Sequence, residues 1–173
     1  MRATTIILVV AAGLVLQTSL TRFTVGGGWA LDLVLVAVFF CALSWGPAAG
    51  MFAGTLGGLV QDALSGGVLG VGGLSKTLVG FLAGAVGAQF IVAQFFPRLM
   101  VFVAGTFVHQ LCFWGVYALI DQRPTEVPWG SVALQAVINA AIGLLAFQIV
   151  ELAPGFAARR RVRRSRLRSG GRW

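Results

Sequence analysis

Residues 33–61, LVLVAVFFCALSWGPAAGMFAGTLGGLVQ, form an uninterrupted uncharged run, and its interpretation decides the fold of the chain. A membrane-spanning helix needs about 20 mostly apolar residues, so the run is too long to be one helix in a bilayer. The pair Gly46-Pro47 offers a break near its middle, where the missing N–H of proline costs little. Two helices here give the chain six spans, and one helix gives it five.

The rest of the chain is just as apolar. Of its 173 residues, 58% are hydrophobic and 10% are charged, whereas a soluble domain carries about 25% charged residues. No polar surface could then cover a water-soluble globule, and the composition predicts an all-α integral membrane protein. The six predicted transmembrane helices cover residues 3–20, 30–45, 47–64, 74–95, 99–120 and 130–152.

The distribution of basic residues favours six spans over five. With six, Arg2, Arg98 and the eight arginines of the C-terminal tail lie on one side, and Arg22, Lys76 and Arg123 lie on the other. Cytoplasmic loops carry the excess of Lys and Arg, so both termini are expected in the cytoplasm. With five spans, the tail would lie opposite Arg2.

The tail supplies the whole excess of positive charge. We expect a transmembrane domain over residues 1–153 and a disordered cytoplasmic tail over residues 154–173. Basic clusters beside a membrane helix attract anionic lipid headgroups. Nucleic acid is not expected, because only Trp173 could stack on a base. The predicted lipid-binding residues are Arg159, Arg160, Arg161, Arg163, Arg164, Arg166 and Arg168.

A stripe of glycines recurs every four residues in the third span, at Gly46, Gly50, Gly54 and Gly58. Small residues at this spacing let helix backbones approach closely in a membrane. The stripe either packs spans three and four together or docks a helix from another protein. Whether the protein forms a homodimer stays open.

Asp62 is the one carboxylate in the glycine-rich stretch GGLVQDALSGGVLGVGG, residues 57–73. Its oxygens either cap the turn that follows or pair with Lys76 across the hairpin, as intramembrane charges tend to pair. The predicted partner-binding residues are the glycine stripe together with Asp62, Ser65, Gly66 and Gly70.

Polar residues of spans five and six predict a small internal cluster, formed by His109, Gln110, Gln135 and Asn139. Its members either hydrogen-bond helices to one another or line a ligand cavity. An enzyme is not expected, because a single histidine excludes an H-E-x-x-H site. Cys41 and Cys112 have no metal-ligand spacing, so neither a metal nor another cofactor is expected.

The stretch LDLVLVAVFFCALSWGPAAGMFAGTLGGLVQDALSGGVLGVGGLSKTLVGFLAG, residues 31–84, resembles MreD, a family of bacterial rod-shape-determining membrane proteins. The matching pattern is a helix opened by an acidic residue, a glycine-proline turn, glycines leading to a second acidic residue, and a short glycine loop. These features are Asp32, Gly46, Pro47, Asp62, Ser65, Gly66, Leu69 and Gly70. Leu31 stands where the family often has proline, and Lys76 where it has a small or apolar residue.

The resemblance implies a non-catalytic scaffold of cell-wall elongation in the bacterial inner membrane. Its implied partners are the bitopic protein MreC, the elongation transpeptidase and glycosyltransferase, and MreB filaments. The implied fold is similar to that of the six-helix substrate-binding subunits of energy-coupling-factor transporters. The alternative is a vitamin-type binding subunit of such a transporter.

Overall fold

The computed structural model describes residues 2–21, 31–89, 95–121 and 127–152. These residues form six α-helices: α1 (Arg2–Thr21), α2 (Leu33–Trp45), α3 (Pro47–Ser65), α4 (Val71–Gln89), α5 (Phe95–Asp121) and α6 (Trp129–Leu152). For these residues the expectation of an all-α structure with six helices is confirmed, whereas the crossing of the membrane by all six stays a prediction. The arginine tail, with its predicted lipid-binding residues, lies outside the described residues.

Four of these helices are long and apolar enough to cross a membrane, namely α1, α4, α5 and α6. Helix α2 is apolar but has 13 residues, a length of about 20 Å at 1.5 Å per residue. The hydrocarbon core of a bilayer is about 30 Å thick. Helix α3 has 19 residues but contains four glycines, which lower its hydropathy. Length and composition therefore identify four spanning helices in the described part of the chain.

The uncharged run 33–61 reverses direction at Gly46-Pro47, as predicted. Gly46 has φ 95° and ends α2, and its N–H donates to the Ala42 carbonyl at 2.8 Å. Pro47 is the first residue of α3, where its fixed φ suits the helix and no N–H is needed. A Cβ added to Gly57 would lie 2.7 Å from Val34 Cγ1, so the two helices run antiparallel.

The helix boundary near Pro97 differs from the predicted one. Residues 95–98 were expected to separate two spans, but α5 begins at Phe95 and includes Pro97 in its first turn. The first four N–H groups of a helix have no partner within it, so a proline costs nothing there. The predicted break at residues 95–98 is therefore wrong; α4 is described as far as Gln89, and residues 90–94 lie outside the described residues.

Helix α2 is the central helix and contacts each of the other five. Its residues from Leu33 to Phe39 are all buried, as expected for a helix that is apolar on every side. On one side of α2, Phe39 packs edge-on against Phe102 of α5, with ring centroids 5.2 Å apart. On the other side, Val38 and Cys41 pack against residues of α1 and α3.

Candidate functional site: a polar cavity beyond the central helix

The shortness of α2 leaves space inside the bundle. Asn139 and His109 lie beside Asp32, the residue that caps the start of α2. Helix α6 extends from Asn139 to Trp129, about 15 Å beyond this level, and α5 extends a similar distance beyond His109. The space between these extensions is a cavity of about 590 Å³, within the usual range for ligand pockets.

Asp32 forms the floor of this cavity and uses each of its polar groups. Its Oδ1 accepts the N–H of Leu35 at 2.9 Å, and its own N–H donates to Asn139 Oδ1 at 3.2 Å. The Val34 N–H donates to Gln17 Oε1 at 3.2 Å. These bonds occupy donors at the start of α2 that the helix leaves unpaired.

The second carboxylate oxygen of Asp32 holds a buried ion pair. Lys76 Nζ lies 2.9 Å from Asp32 Oδ2, with the two side chains 4% and 6% exposed. His109 Nε2 lies 3.8 Å from the same oxygen. The predicted pairing of Lys76 with Asp62 is therefore wrong. Asp32 lies at the start of α2, where its carboxylate reaches Lys76 of α4. The Asp62 carboxylate instead accepts hydrogen bonds from the turn before α4.

Asp62 holds the glycine-rich turn between α3 and α4. Its Oδ2 accepts three backbone N–H groups, from Gly70 at 2.9 Å, Gly72 at 3.0 Å and Gly73 at 3.2 Å. A carboxylate at the N-terminus of a helix also interacts favourably with the helix dipole. The capping alternative for Asp62 is thus the one that the geometry supports.

The turn itself needs glycine at two of its positions. Gly66 has φ 68° and Gly70 has φ 100°, and only glycine adopts such angles without strain. Ser65 and Gly66 are exposed, while Asp62 is buried. Asp62 therefore shapes the exposed turn from beneath, with its own side chain buried.

The glycine stripe of α3 lies against α4. A Cβ on Gly58 would lie 2.5 Å from the Cα of Gly73, and one on Gly50 or Gly54 would collide with the α4 backbone at Gly80 or Lys76. These three positions have no surface left for a partner helix, so the stripe serves the packing of α3 on α4. Gly46 lies at the turn and has no neighbour within 4 Å of an added Cβ.

The structure brings the predicted internal polar cluster together at the cavity. Gln110 Nε2 donates to Gln135 Oε1, while His109 and Asn139 both contact Asp32. His109, Gln110 and Gln135 line the cavity. Three side-chain atoms in this part of the bundle are buried and have no hydrogen-bond partner: Gln61 Oε1, His109 Nδ1 and Asn139 Nδ2.

Several cavity residues could not be assigned from the sequence. Phe113, Trp114 and Tyr117 form an aromatic wall on α5, and the Tyr117 hydroxyl accepts the Val68 N–H at 3.3 Å. Their spacing along α5 is a usable signal, because Tyr117 lies four residues after Phe113 and three after Trp114, and residues three or four apart are neighbours on a helix. Within the described ranges, no three His, Cys, Asp or Glu side chains could together hold a metal ion.

One comparison with known proteins gives a match. The family model described as rod shape-determining protein MreD matches residues 1–152. The chain belongs to the MreD family. The match extends from the start of α1 to the last residue of α6, so it includes every helix of the described structure. Searches of the curated proteins and of the solved structures each give no significant match.

Membership of the MreD family gives the chain a coarse function. It is a membrane protein involved in determining rod shape, and its family is a structural one that is not known to contain enzymes. Four apolar helices long enough to span a membrane agree with this assignment. The earlier resemblance over residues 31–84 is thereby confirmed and extended along the chain.

Proposed function

We propose that this MreD-family chain is a non-catalytic scaffold of cell-wall elongation in the bacterial inner membrane. It binds an MreC-like bitopic protein and, directly or through it, connects the wall transpeptidase and glycosyltransferase with MreB filaments. The observation that carries the proposal is the family match over residues 1–152. The family is part of the MreBCD shape-determining system.

The surface proposed for the MreC-like partner is the turn between α3 and α4. Ser65 and Gly66 are exposed there, and the Leu69 side chain is 67% exposed. Asp62 supports this surface by fixing the backbone of Gly70, Gly72 and Gly73. An exposed leucine on a turn of fixed shape suits contact with another protein, because no ordering of the turn is then needed on binding.

The proposed topology has six membrane crossings with both termini in the cytoplasm. Helices α2 and α3 then cross as a pair, with α2 shielded from lipid by its five neighbours. A division into a transmembrane domain, residues 1–153, and a cytoplasmic tail, residues 154–173, belongs to this proposal. The tail arginines would hold anionic lipids, at about 1 kcal/mol per residue near the surface.

The scaffold proposal is tested by purifying the tagged chain from its native membrane in mild detergent and identifying copurifying proteins by mass spectrometry. We expect an MreC-like protein and wall synthases. Leu69→Ser should reduce their recovery, whereas Leu119→Ser, an equally apolar exposed site on α5, should not. If both variants still recover the partners, the proposed surface is rejected. If the parent chain recovers no partners, the scaffold proposal is rejected.

A second candidate function is a small-molecule binding subunit of a transporter, with a fold similar to that of energy-coupling-factor binding subunits. The cavity lined by His109, Gln110 and Gln135 is the observation that favours it. Recovery of ATPase subunits in the same purification would support this candidate in place of the scaffold.

A further inference from the structure

Two residues that line the cavity beyond α2, His109 and Gln61, each have a buried side-chain atom with no hydrogen-bond partner among the described residues. His109 is 3% exposed and lines the cavity, and its Nδ1 has no partner. Nε2 faces the Asp32 carboxylate, and in a neutral imidazole with its proton on Nε2 the Nδ1 atom would be a hydrogen-bond acceptor. Gln61 Oε1 is a second buried acceptor without a partner on the lining.

Buried polar atoms are nearly always hydrogen-bonded, and an exception calls for an explanation. Two unused acceptors on one cavity are explained by a ligand that brings N–H or O–H donors. The Gln110 and Gln135 side chains are joined by one direct hydrogen bond, from Gln110 Nε2 to Gln135 Oε1.

The charges on the lining have a negative excess. Among the residues that the structure describes, Asp32, Asp62 and Lys76 are the charged ones on the lining, so two carboxylates are present with one ammonium. The Lys76 charge is already paired with Asp32. An entering cation is therefore not repelled by an unpaired positive charge on the described lining. An entering anion would find no unpaired ammonium or guanidinium group there to bind.

The aromatic wall adds a second attraction for cations. Phe113 lies with its ring centroid 5.2 Å from that of Tyr117 and 6.0 Å from that of Trp114. Grouped aromatic faces attract an ammonium or guanidinium group through their quadrupoles, Trp most strongly. Phe113 and Trp114 also give an apolar stem a surface to pack on.

We propose that this cavity binds an organic cation: an alkylammonium group with N–H donors on an apolar or aromatic stem. The His109 and Gln61 acceptors take the N–H groups, the carboxylate excess balances the charge, and Trp114 covers the stem. The alkylammonium comes either from a free amine or from a lysine side chain of a bound protein. The inference does not depend on the scaffold proposal, because it rests on the lining alone.

Three matched probes test the charge requirement: 2-phenylethylammonium, phenylacetate and ethylbenzene, which share a phenyl stem. Binding to the purified full chain is measured by titration calorimetry and by the shift in melting temperature. We expect saturable binding of the ammonium with about tenfold preference over phenylacetate. No ammonium binding up to roughly 10 mM, or equal binding of the two ions, overturns the proposal.

Variants then test the location of the site. Trp114→Leu and Gln61→Leu should each weaken ammonium binding about fivefold, and Trp114→Phe should restore most of it while showing that the chain still folds. Trp129→Leu and Gln148→Leu make the same changes away from the lining and should leave binding unchanged. Equal losses in the control variants overturn the assignment to this cavity.

The same probe separates the two sources of the cation. If ammonium binding persists in the complex purified with its native partners, a free amine is the ligand. If binding occurs only in the isolated chain, the partner already fills the site with a basic side chain. Either result supports the alkylammonium assignment.

Discussion

The Lys76 ammonium lies 2.9 Å from the Asp32 carboxylate in the interior of the bundle, and this pair joins the start of α2 to α4. Breaking a buried pair by removing one partner leaves the other charge unpaired, which costs about 3–5 kcal/mol. Replacing both partners avoids that penalty. Single and double variants of the two residues therefore test whether Asp32 and Lys76 are paired.

Lys76→Met and Asp32→Asn should each lower the free energy of unfolding by about 3 kcal/mol or more. The double variant should be more stable than either single variant, since no charge is left unpaired. Asp32→Asn keeps an oxygen that can cap α2. Unfolding of the purified variants in mixed micelles measures this, and additive losses in the double variant would contradict the pairing.

Asp62→Ala should destabilise the α3–α4 turn, because three backbone N–H groups lose their acceptor. Leaving a buried donor unpaired costs about 1–3 kcal/mol. Hydrogen exchange measured by mass spectrometry should rise at the start of α4. Ser65→Ala removes only a hydroxyl that donates to the Asp62 carbonyl and serves as the control. Unchanged exchange in Asp62→Ala would show that the turn does not depend on the carboxylate.

Gly54→Ala should separate α3 from α4, because its methyl group would collide with the α4 backbone at Lys76 and Thr77. Overpacking of this kind costs about 1–3 kcal/mol. Gly115→Ala on α5 has no neighbour within 4 Å of the added Cβ and should be neutral. A melting temperature equal in both variants would mean that the tight approach of the two helices is not needed.

Reporter fusions test the proposed topology. With six crossings, a fluorescent protein fused to the C-terminus should be active in the cytoplasm, and alkaline phosphatase inserted after residue 68 should be active outside it. These outcomes follow from the excess of basic residues at the two termini. Phosphatase activity at the C-terminus would instead indicate an odd number of crossings.

The sequence predicted the helices well because apolar length and proline position determine them locally. The break at Gly46-Pro47 is an example: φ 95° at Gly46 and a proline at the first position of α3 leave little choice. The helix start at Phe95 was missed, because a proline in a first turn and a proline in a loop look alike in sequence.

The candidate site was predictable only in part. His109, Gln110, Gln135 and Asn139 were recognised because polar residues in apolar helices are rare, but the sequence could not decide between packing and a cavity. A pair of Lys76 with Asp62, the nearer carboxylate in sequence, was one of the two alternatives for Asp62, and the structure excludes it. The pairing of Lys76 with Asp32 depends on the short central helix α2, which places Asp32 at the same height in the bundle as Lys76. No local sequence pattern determines that height.

The close approach of α3 and α4 has a mechanical consequence. Backbones in direct contact along Gly50, Gly54 and Gly58 have no side-chain layer that could slide or repack, so the two helices must move as one stiff plate. A displacement of the turn between them is then expected to move the far end of the plate too, where Gly84 contacts Pro47. Bending of the bundle is then expected at the seams between this plate and its neighbours α1, α2 and α5.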